Sequence, residues 1–190
     1  MNIALLHRMT ADEFLRWYER QDSGRYELEN GRVVMQQSQN FGHLKAKNQI
    51  LRALERALED AIVDAKAPVF AMPDGATVRV DDGRVYEPDA LVALLPEPPP
   101  ETIEIPNVIV VVEVVSPSSE KRDYVEKARG YATVSTIAHY LIIDPAARTL
   151  HHHTRATLTS GADPQLVTGS ILRLDPPRLA VDLSGLFAHK

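Results

Sequence analysis

Val108 to Val115 reads VIVVVEVV, and no other stretch constrains the chain as tightly. Five β-branched residues in a row favour extended backbone, because branching at Cβ restricts χ1 and packs well on a pleated surface. An unbroken apolar run, rather than an alternating one, is the pattern of a strand covered on both faces. Glu113 falls inside that run. An ionised carboxylate in an apolar interior costs several kcal/mol unless a positive group meets it. Glu113 therefore either reaches solvent or has a positive partner.

The elements around this strand are legible from local chemistry. Thr10-Ala-Asp-Glu13 predicts a helix N-terminus with a capping box. RYELENGRVVM predicts a β-hairpin turning at Asn30-Gly31, with Glu29 opposite Arg32, Leu28 opposite Val33 and Glu27 opposite Val34. A long helix is expected from about Asn40 to Asp64, with Ile50, Leu54, Ala57, Leu58 and Ala61 as its apolar stripe and His43 on the same side. APVFAM reads as a short strand, TVRVDDGRVY as a hairpin turning at Asp82-Gly83, and EPDALVALL as a strand opening at Pro88. A proline-rich excursion, PEPPPETIEIPN, precedes the valine strand. After Ser116-Pro-Ser-Ser a helix is expected to reach about Thr133. Asp123-Tyr-Val-Glu126 reads as a capping box inside it, with regular helix from Tyr124. HYLIID reads as a buried strand, and short strands and turns follow. Helix and hairpins alternating with one crossover predict an α/β fold with a mixed sheet.

Length suits a single domain over residues 1–190. No apolar run approaches the roughly 20 residues of a membrane span. The N-terminus lacks the long apolar segment of a signal peptide. The chain has no cysteine, which excludes disulfides and thiolate metal sites and fits a cytoplasmic protein. Its net charge is −5, so binding to a nucleic acid would need a local cationic patch or cations offsetting the carboxylates.

Asp89 opens one strand and Glu113 lies near the end of the next. If those strands are antiparallel neighbours, both carboxylates approach on one face to about 5 Å. Such a pair repels unless a cation holds it, and Mg²⁺ or Mn²⁺ suits oxygen ligands. Lys127 follows on the next helix, where an ammonium can orient a metal-bound water or stabilise charge on a phosphoryl group.

The ordered set Asp89, Glu113 in a valine-rich strand, then lysine resembles the PD-(D/E)XK nuclease superfamily. More narrowly the chain is similar to the Uma2 family, also labelled DUF820, whose members are described as restriction endonucleases. The matching positions are Tyr26-Glu27-Leu28 with Gly31, His43, Pro88-Asp89, Val112-Glu113-Val114 with Ser116-Pro117-Ser118, Asp123, Lys127 and Tyr131, then Tyr140-Leu141-Ile142-Ile143-Asp144. They span roughly residues 9 to 155. The resemblance implies a restriction-endonuclease-like mixed sheet flanked by helices, with added β-hairpins. It implies phosphodiester hydrolysis, with DNA as partner, no membrane, and a homodimer as an open option. It makes Asp89, Glu113 and Glu27 the metal carboxylates, Lys127 the catalytic cation and His43 a residue bordering the phosphate. The superfamily's usual lysine, two residues after the glutamate, is replaced here by Val115; in Uma2-like chains it moves to the following helix.

Each residue also has a plainer reading. Asp89 is a common turn residue after proline. Lys127 pairs with Asp123 at i,i+4 on a surface, where such pairs contribute about 0.3–0.5 kcal/mol. Glu27 lies on a solvated hairpin face, and His43 is a half-buried, hydrogen-bonded histidine. His151-His-His153 reads as an exposed strand able to take up stray Ni²⁺ or Zn²⁺. At the level of the whole chain, the rival is a non-catalytic binding or dimerisation module on the same fold.

Overall fold

The structure, a computed structural model, describes residues 8–63, 68–116 and 119–187. Helix α1 (Ala11–Tyr18) begins at the predicted capping box: Thr10 Oγ1 accepts the Glu13 amide, and the Glu13 carboxylate accepts the Thr10 N–H. Strands β1 (Tyr26–Glu29) and β2 (Arg32–Met35) pair in the expected register, Glu27 opposite Val34. Asn30 and Gly31 both have positive φ, 49° and 79°, the requirement that makes Asn-Gly suit this two-residue turn. Helix α2 (Phe41–Val63) starts where Asn40 Oδ1 accepts the His43 amide. Strands β3 (Val69–Pro73), β4 (Val78–Asp81), β5 (Arg84–Tyr86), β6 (Ala90–Leu94) and β7 (Val108–Val114) follow.

Beyond β7 the chain forms a helical segment and α3 (Ala128–Thr133), then β8 (His139–Asp144), β9 (Thr149–Thr154), α4 (Arg155–Ser160) and β10 (Gln165–Leu166). A hairpin of β11 (Ile171–Leu174) and β12 (Leu179–Asp182) closes the described chain. The central sheet has the order β10-β9-β8-β7-β6-β3, and its β7–β8 pair is parallel while the others are antiparallel. Strands β2-β1-β5-β4 make a second sheet.

Every residue of β7 is buried. Val110 and Val112 pack with Ile50 and Leu54 of α2 and with Val181 of β12. Val111 faces the other way, into a cluster with Tyr86, Leu91, Tyr131 and Tyr140. The strand is thus covered on both sides, as its composition demands. By the two-residue period, Glu113 shares the Val111 side. Among the described residues no helix is long and apolar enough to cross a membrane.

Two expectations are corrected. Asp123 does not start a helix. Its amide already donates to Ser119 O at 2.9 Å, so helical hydrogen bonding begins upstream and leaves no free N-terminus for a cap. Arg122–Lys127 instead forms a π-helical turn ahead of α3, a widened turn that occurs mainly at functional sites. The histidine run is not exposed either. Strand β9 lies inside the sheet between β8 and β10, which buries His152 and His153. His152 meets His139 ring to ring at 2.9 Å, and His153 stacks on Tyr140 with centroids 6.0 Å apart.

Gly130 sets the distance between α3 and the second sheet. A Cβ there would lie 2.8 Å from Cε2 of Tyr86, and Tyr86 is itself held edge-on against Tyr131 at 5.4 Å. Alanine normally stabilises a helix over glycine by up to about 1 kcal/mol. Here overpacking reverses the sign: Gly130→Ala is expected to destabilise by about 1–3 kcal/mol, a fall of roughly 2–4 °C in melting temperature per kcal/mol. Thermal melts of both proteins check this, and a higher melting temperature for the variant contradicts it.

Candidate functional site

The β6–β7 ladder ends with Ala90 opposite Val112. Asp89 lies one residue before Ala90, and Glu113 one residue after Val112. Asp89 leaves the ladder there: its amide donates to Val112 O at 2.9 Å and its Oδ2 accepts the Val114 amide at 2.6 Å. Both carboxylates line one cleft of about 530 Å³. Glu113 is 4% exposed, and its partner is Lys127, whose Nζ lies 2.7 Å from Oε1. Tyr131 donates its hydroxyl to the same oxygen at 2.8 Å. The surface-pair reading of Lys127 is therefore wrong. The residue is 1% exposed, and Asp123 lies at 3.9 Å, farther than either Glu113 or Glu27. The π-turn carries Lys127 inward, over the Tyr86 ring at 5.4 Å.

Glu27 is also no solvated hairpin residue, being fully buried. Its Oε1 accepts from Lys127 at 2.9 Å and from the Glu87 amide at 2.8 Å. Its Oε2 accepts from Gln36 at 2.7 Å and lies 3.3 Å from Arg122. Glu27 is absent from the cleft wall, so its place is beside Lys127, away from the opening. His43 does line the cleft, with Nε2 3.4 Å from Asp89 Oδ2.

The sequence reading missed Lys47, whose Nζ is 2.7 Å from Asp89 Oδ1 and also pairs with Asp74. Its signal was present: Lys47 lies one turn after His43 on the buried stripe of α2, where an unpaired lysine is rare. Arg122 was missed as well. It bridges Glu27 and Glu29, and nothing local in the sequence turns it inward.

The network is short of positive charge. Glu27, Glu29, Asp74, Glu87, Asp89, Glu113 and Asp123 meet Arg25, Lys47, Arg122 and Lys127, so carboxylates outnumber fixed cations seven to four. Burial pushes Asp89 up, but His43, Lys47 and the Val114 amide outweigh it and hold the group well below the usual carboxylate range. Glu113 moves the other way: burial, together with Asp123, Asp89 and Glu27, outweighs Lys127 and raises it. Burial likewise raises Asp123. Burial alone would lower Lys127, but Glu113, Glu27 and Asp123 keep it above an ordinary lysine. Environments that push neighbouring carboxyls apart are typical of acid–base and metal sites. Among the described residues, three buried atoms of the cleft lining have no hydrogen-bond partner: His43 Nε2, Arg122 Nε and Asp123 Oδ1.

Asp89, Glu113 and Asp123 offer only oxygen to the cleft, the donor type that Mg²⁺ and Mn²⁺ take. Among the described residues no three His, Cys, Asp or Glu side chains already converge as a metal cage. The arrangement fits a two-carboxylate site that leaves other positions to water and phosphate, as Mg²⁺ prefers.

The sequence pattern of the Uma2 family, described as "Putative restriction endonuclease", matches residues 11–179. The fold is similar to the crystal structure of a "putative nuclease belonging to DUF820" from Anabaena variabilis ATCC 29413. That likeness has a TM-score of 0.67 and 17% sequence identity, and covers 94% of this chain and 97% of the other. At that identity it shows a shared fold. No curated protein matches the chain.

The raised Glu113 carries a pH signature. Above the ordinary carboxylate range the folded protein still holds a proton that the unfolded chain has released. That contribution to stability is full at low pH and is lost as pH rises through the raised value. Glu113→Gln removes the titrating group, while the buried histidines are common to both proteins. Without divalent ion, the melting-temperature difference should therefore shift in favour of Glu113→Gln as pH rises from about 5 to about 8. A difference that stays flat across that range contradicts the assignment.

Proposed function

The chain belongs to the Uma2 family, and from that premise we propose that it is a nuclease that hydrolyses phosphodiester bonds of DNA with Mg²⁺ or Mn²⁺. The observation that carries this reading is the pairing of Asp89 and Glu113 on one cleft, with the Lys127 ammonium buried against Glu113. Asp89 and Glu113 would hold the ion, which when bound lowers the pKa of a coordinated water and binds the scissile phosphate.

The remaining groups have roles that follow from their contacts. Lys127 stays charged beside Glu113 and offers positive charge where a phosphoryl group gains negative charge. Glu27 and Tyr131 fix Lys127 and Glu113 in place. On this reading Glu27 acts through the lysine and is not a ligand. Lys47 and the Val114 amide keep Asp89 ionised and oriented. His43 lines the cleft with its Nε2 turned toward Asp89 Oδ2 at 3.4 Å, which places it beside the carboxylate, at the border of a bound phosphate. Arg122 also lines an adjoining groove of about 250 Å³ with Arg84, Arg129, Glu29 and Glu126. Arg122 and Arg84 are already paired with Glu29 and Asp81, so an acidic protein would meet a phosphate backbone here with cations offsetting the carboxylates.

The rival reading, a binding module without catalysis, is favoured by one observation: Lys47 and Lys127 already pair with Asp89 and Glu113. Cleavage of labelled duplex DNA, single-stranded DNA and RNA in Mg²⁺ or Mn²⁺ separates the two. Glu113→Gln is the diagnostic variant, because glutamine keeps an acceptor for Lys127 and Tyr131. Lys127→Ala is not, since stranding two buried carboxylates costs about 3–5 kcal/mol. The expected result is DNA cleavage that falls by about 10²-fold or more in Glu113→Gln, with the exposed-site variant Lys121→Ala as active as wild type. Equal rates in Glu113→Gln contradict the site. No cleavage of any substrate by wild type favours the binding module.

A further inference from the structure

Resting on the reading of the cleft as a phosphodiester site, we infer that the segment Gln36–Phe41 is its base-contacting element, with the Phe41 ring as a stacking platform for a nucleobase unstacked next to the scissile phosphate.

Residues Met35 to Asn40 form one wall of the cleft. Between β2 and α2, residues Gln36 to Asn40 have no regular secondary structure, yet they are fastened at three points. Gln36 donates to Glu27 and accepts from Arg122 at 3.2 Å. Gln39 accepts from Lys47 at 3.0 Å. Asn40 caps α2 through the His43 amide at 3.0 Å. Every anchor is thus a group in contact with Glu27, Asp89 or Lys127, so the segment's position is tied to the carboxylates.

What the anchored segment presents outward is specific. Gln37 and Ser38 are exposed and make no side-chain hydrogen bond among the described residues. Phe41 follows directly on cleft-lining Asn40 and is 80% exposed. Met35 and Leu44 are 61% and 50% exposed, and Leu44 lies one turn beyond Phe41 on the same helix face. A phenylalanine so open to water adds nothing to the core, and its neighbours on the wall are free amide and hydroxyl groups. An exposed aromatic side chain one residue from the wall of a phosphate site, on a segment whose Gln37 and Ser38 line that wall, is the chemistry that holds an unpaired base: the ring stacks and the polar side chains bond the base edge. Amides also read base edges in duplexes, but a flat ring at the rim adds most for a base that has left its stack. Single-stranded or locally opened DNA is therefore the substrate form that this wall favours.

The test is fluorescence anisotropy of a labelled single-stranded oligonucleotide and of the matching duplex, in Ca²⁺ to limit cleavage. The proteins are wild type, Phe41→Ala, Phe41→Leu and Phe41→Trp. One stacked base is worth about 1–3 kcal/mol, or roughly 5- to 150-fold in affinity. Phe41→Ala and Phe41→Leu should each weaken single-strand binding by about 10-fold or more, and Phe41→Trp should retain it. Melting temperatures should be unchanged, because the ring is exposed. The dependence on salt should also persist, because no phosphate contact is lost. An oligonucleotide of abasic residues should bind all four proteins alike. Equal binding of the normal single strand by wild type and Phe41→Ala overturns the inference while leaving the cleft's proposed role intact. Phe41→Leu binding as well as wild type overturns it in favour of a merely apolar contact. A wild-type dimer that Phe41→Ala disperses overturns it in favour of a second copy of the chain. Wild type that binds no oligonucleotide overturns both this inference and the nuclease reading.

Discussion

One buried ammonium, that of Lys127, organises the centre of this protein. It joins Glu27 of the first hairpin to Glu113 of the valine strand, from a π-turn that belongs to neither. A carboxylate in the middle of β7 is tolerable only because that ammonium reaches it, and the ammonium is tolerable only because two carboxylates and the Tyr86 face surround it. Such groups contribute little net stability when complete and cost much when broken. Their effect is to fix geometry: the second sheet, the π-turn and the central sheet meet in one relative placement, and Gly130 is the residue whose lack of a side chain lets them meet.

The network divides its carboxylates into two kinds. Glu27 is enclosed, with both oxygens engaged, and serves as a support. Asp89, Glu113 and Asp123 line open space: Asp89 is held by Lys47 and the Val114 amide, Glu113 by Lys127, and Asp123 Oδ1 has no hydrogen-bond partner among the described residues. A charge deficit concentrated on groups facing a cleft is the electrostatic setting in which a divalent cation binds and a protonated carboxyl otherwise forms. Lys47 and Lys127 therefore hold the acidic groups in place without filling the deficit.

How far this was legible in the sequence depended on the range of the interaction. The Thr10–Glu13 cap, the Asn30-Gly31 turn and the buried valine strand were readable because each is decided within a few residues. The question raised by Glu113 was readable too, but the sequence answered it with a divalent ion and did not pair it with Lys127, which the structure places 2.7 Å from Oε1. The burial of Lys127 was not readable, because it depends on a π-turn that follows a helical turn in which Ser119 O already takes the Asp123 amide. Asp123 and Glu126 looked like a cap since the pattern is local, whereas the competing hydrogen bond is set by the preceding turn. The histidine strand misled for a similar reason: three polar residues suggest exposure, but β10 pairs along the far edge of β9 and encloses two of them. Glu27 looked like a ligand because the pattern brings it to the site, while its saturation depends on Gln36, Arg122 and the Glu87 amide, which meet only in three dimensions.

The account stands on the claim that the carboxylate surplus of this cleft is matched by a divalent cation. Electron paramagnetic resonance of Mn²⁺ titrated into the metal-free protein tests it most directly, since free and bound ion give separate signals. The account predicts one bound Mn²⁺ per chain, with affinity falling by at least about tenfold in Glu113→Gln, where one oxygen ligand charge is lost. Undiminished binding in Glu113→Gln, or no bound Mn²⁺ at millimolar concentration, would contradict it.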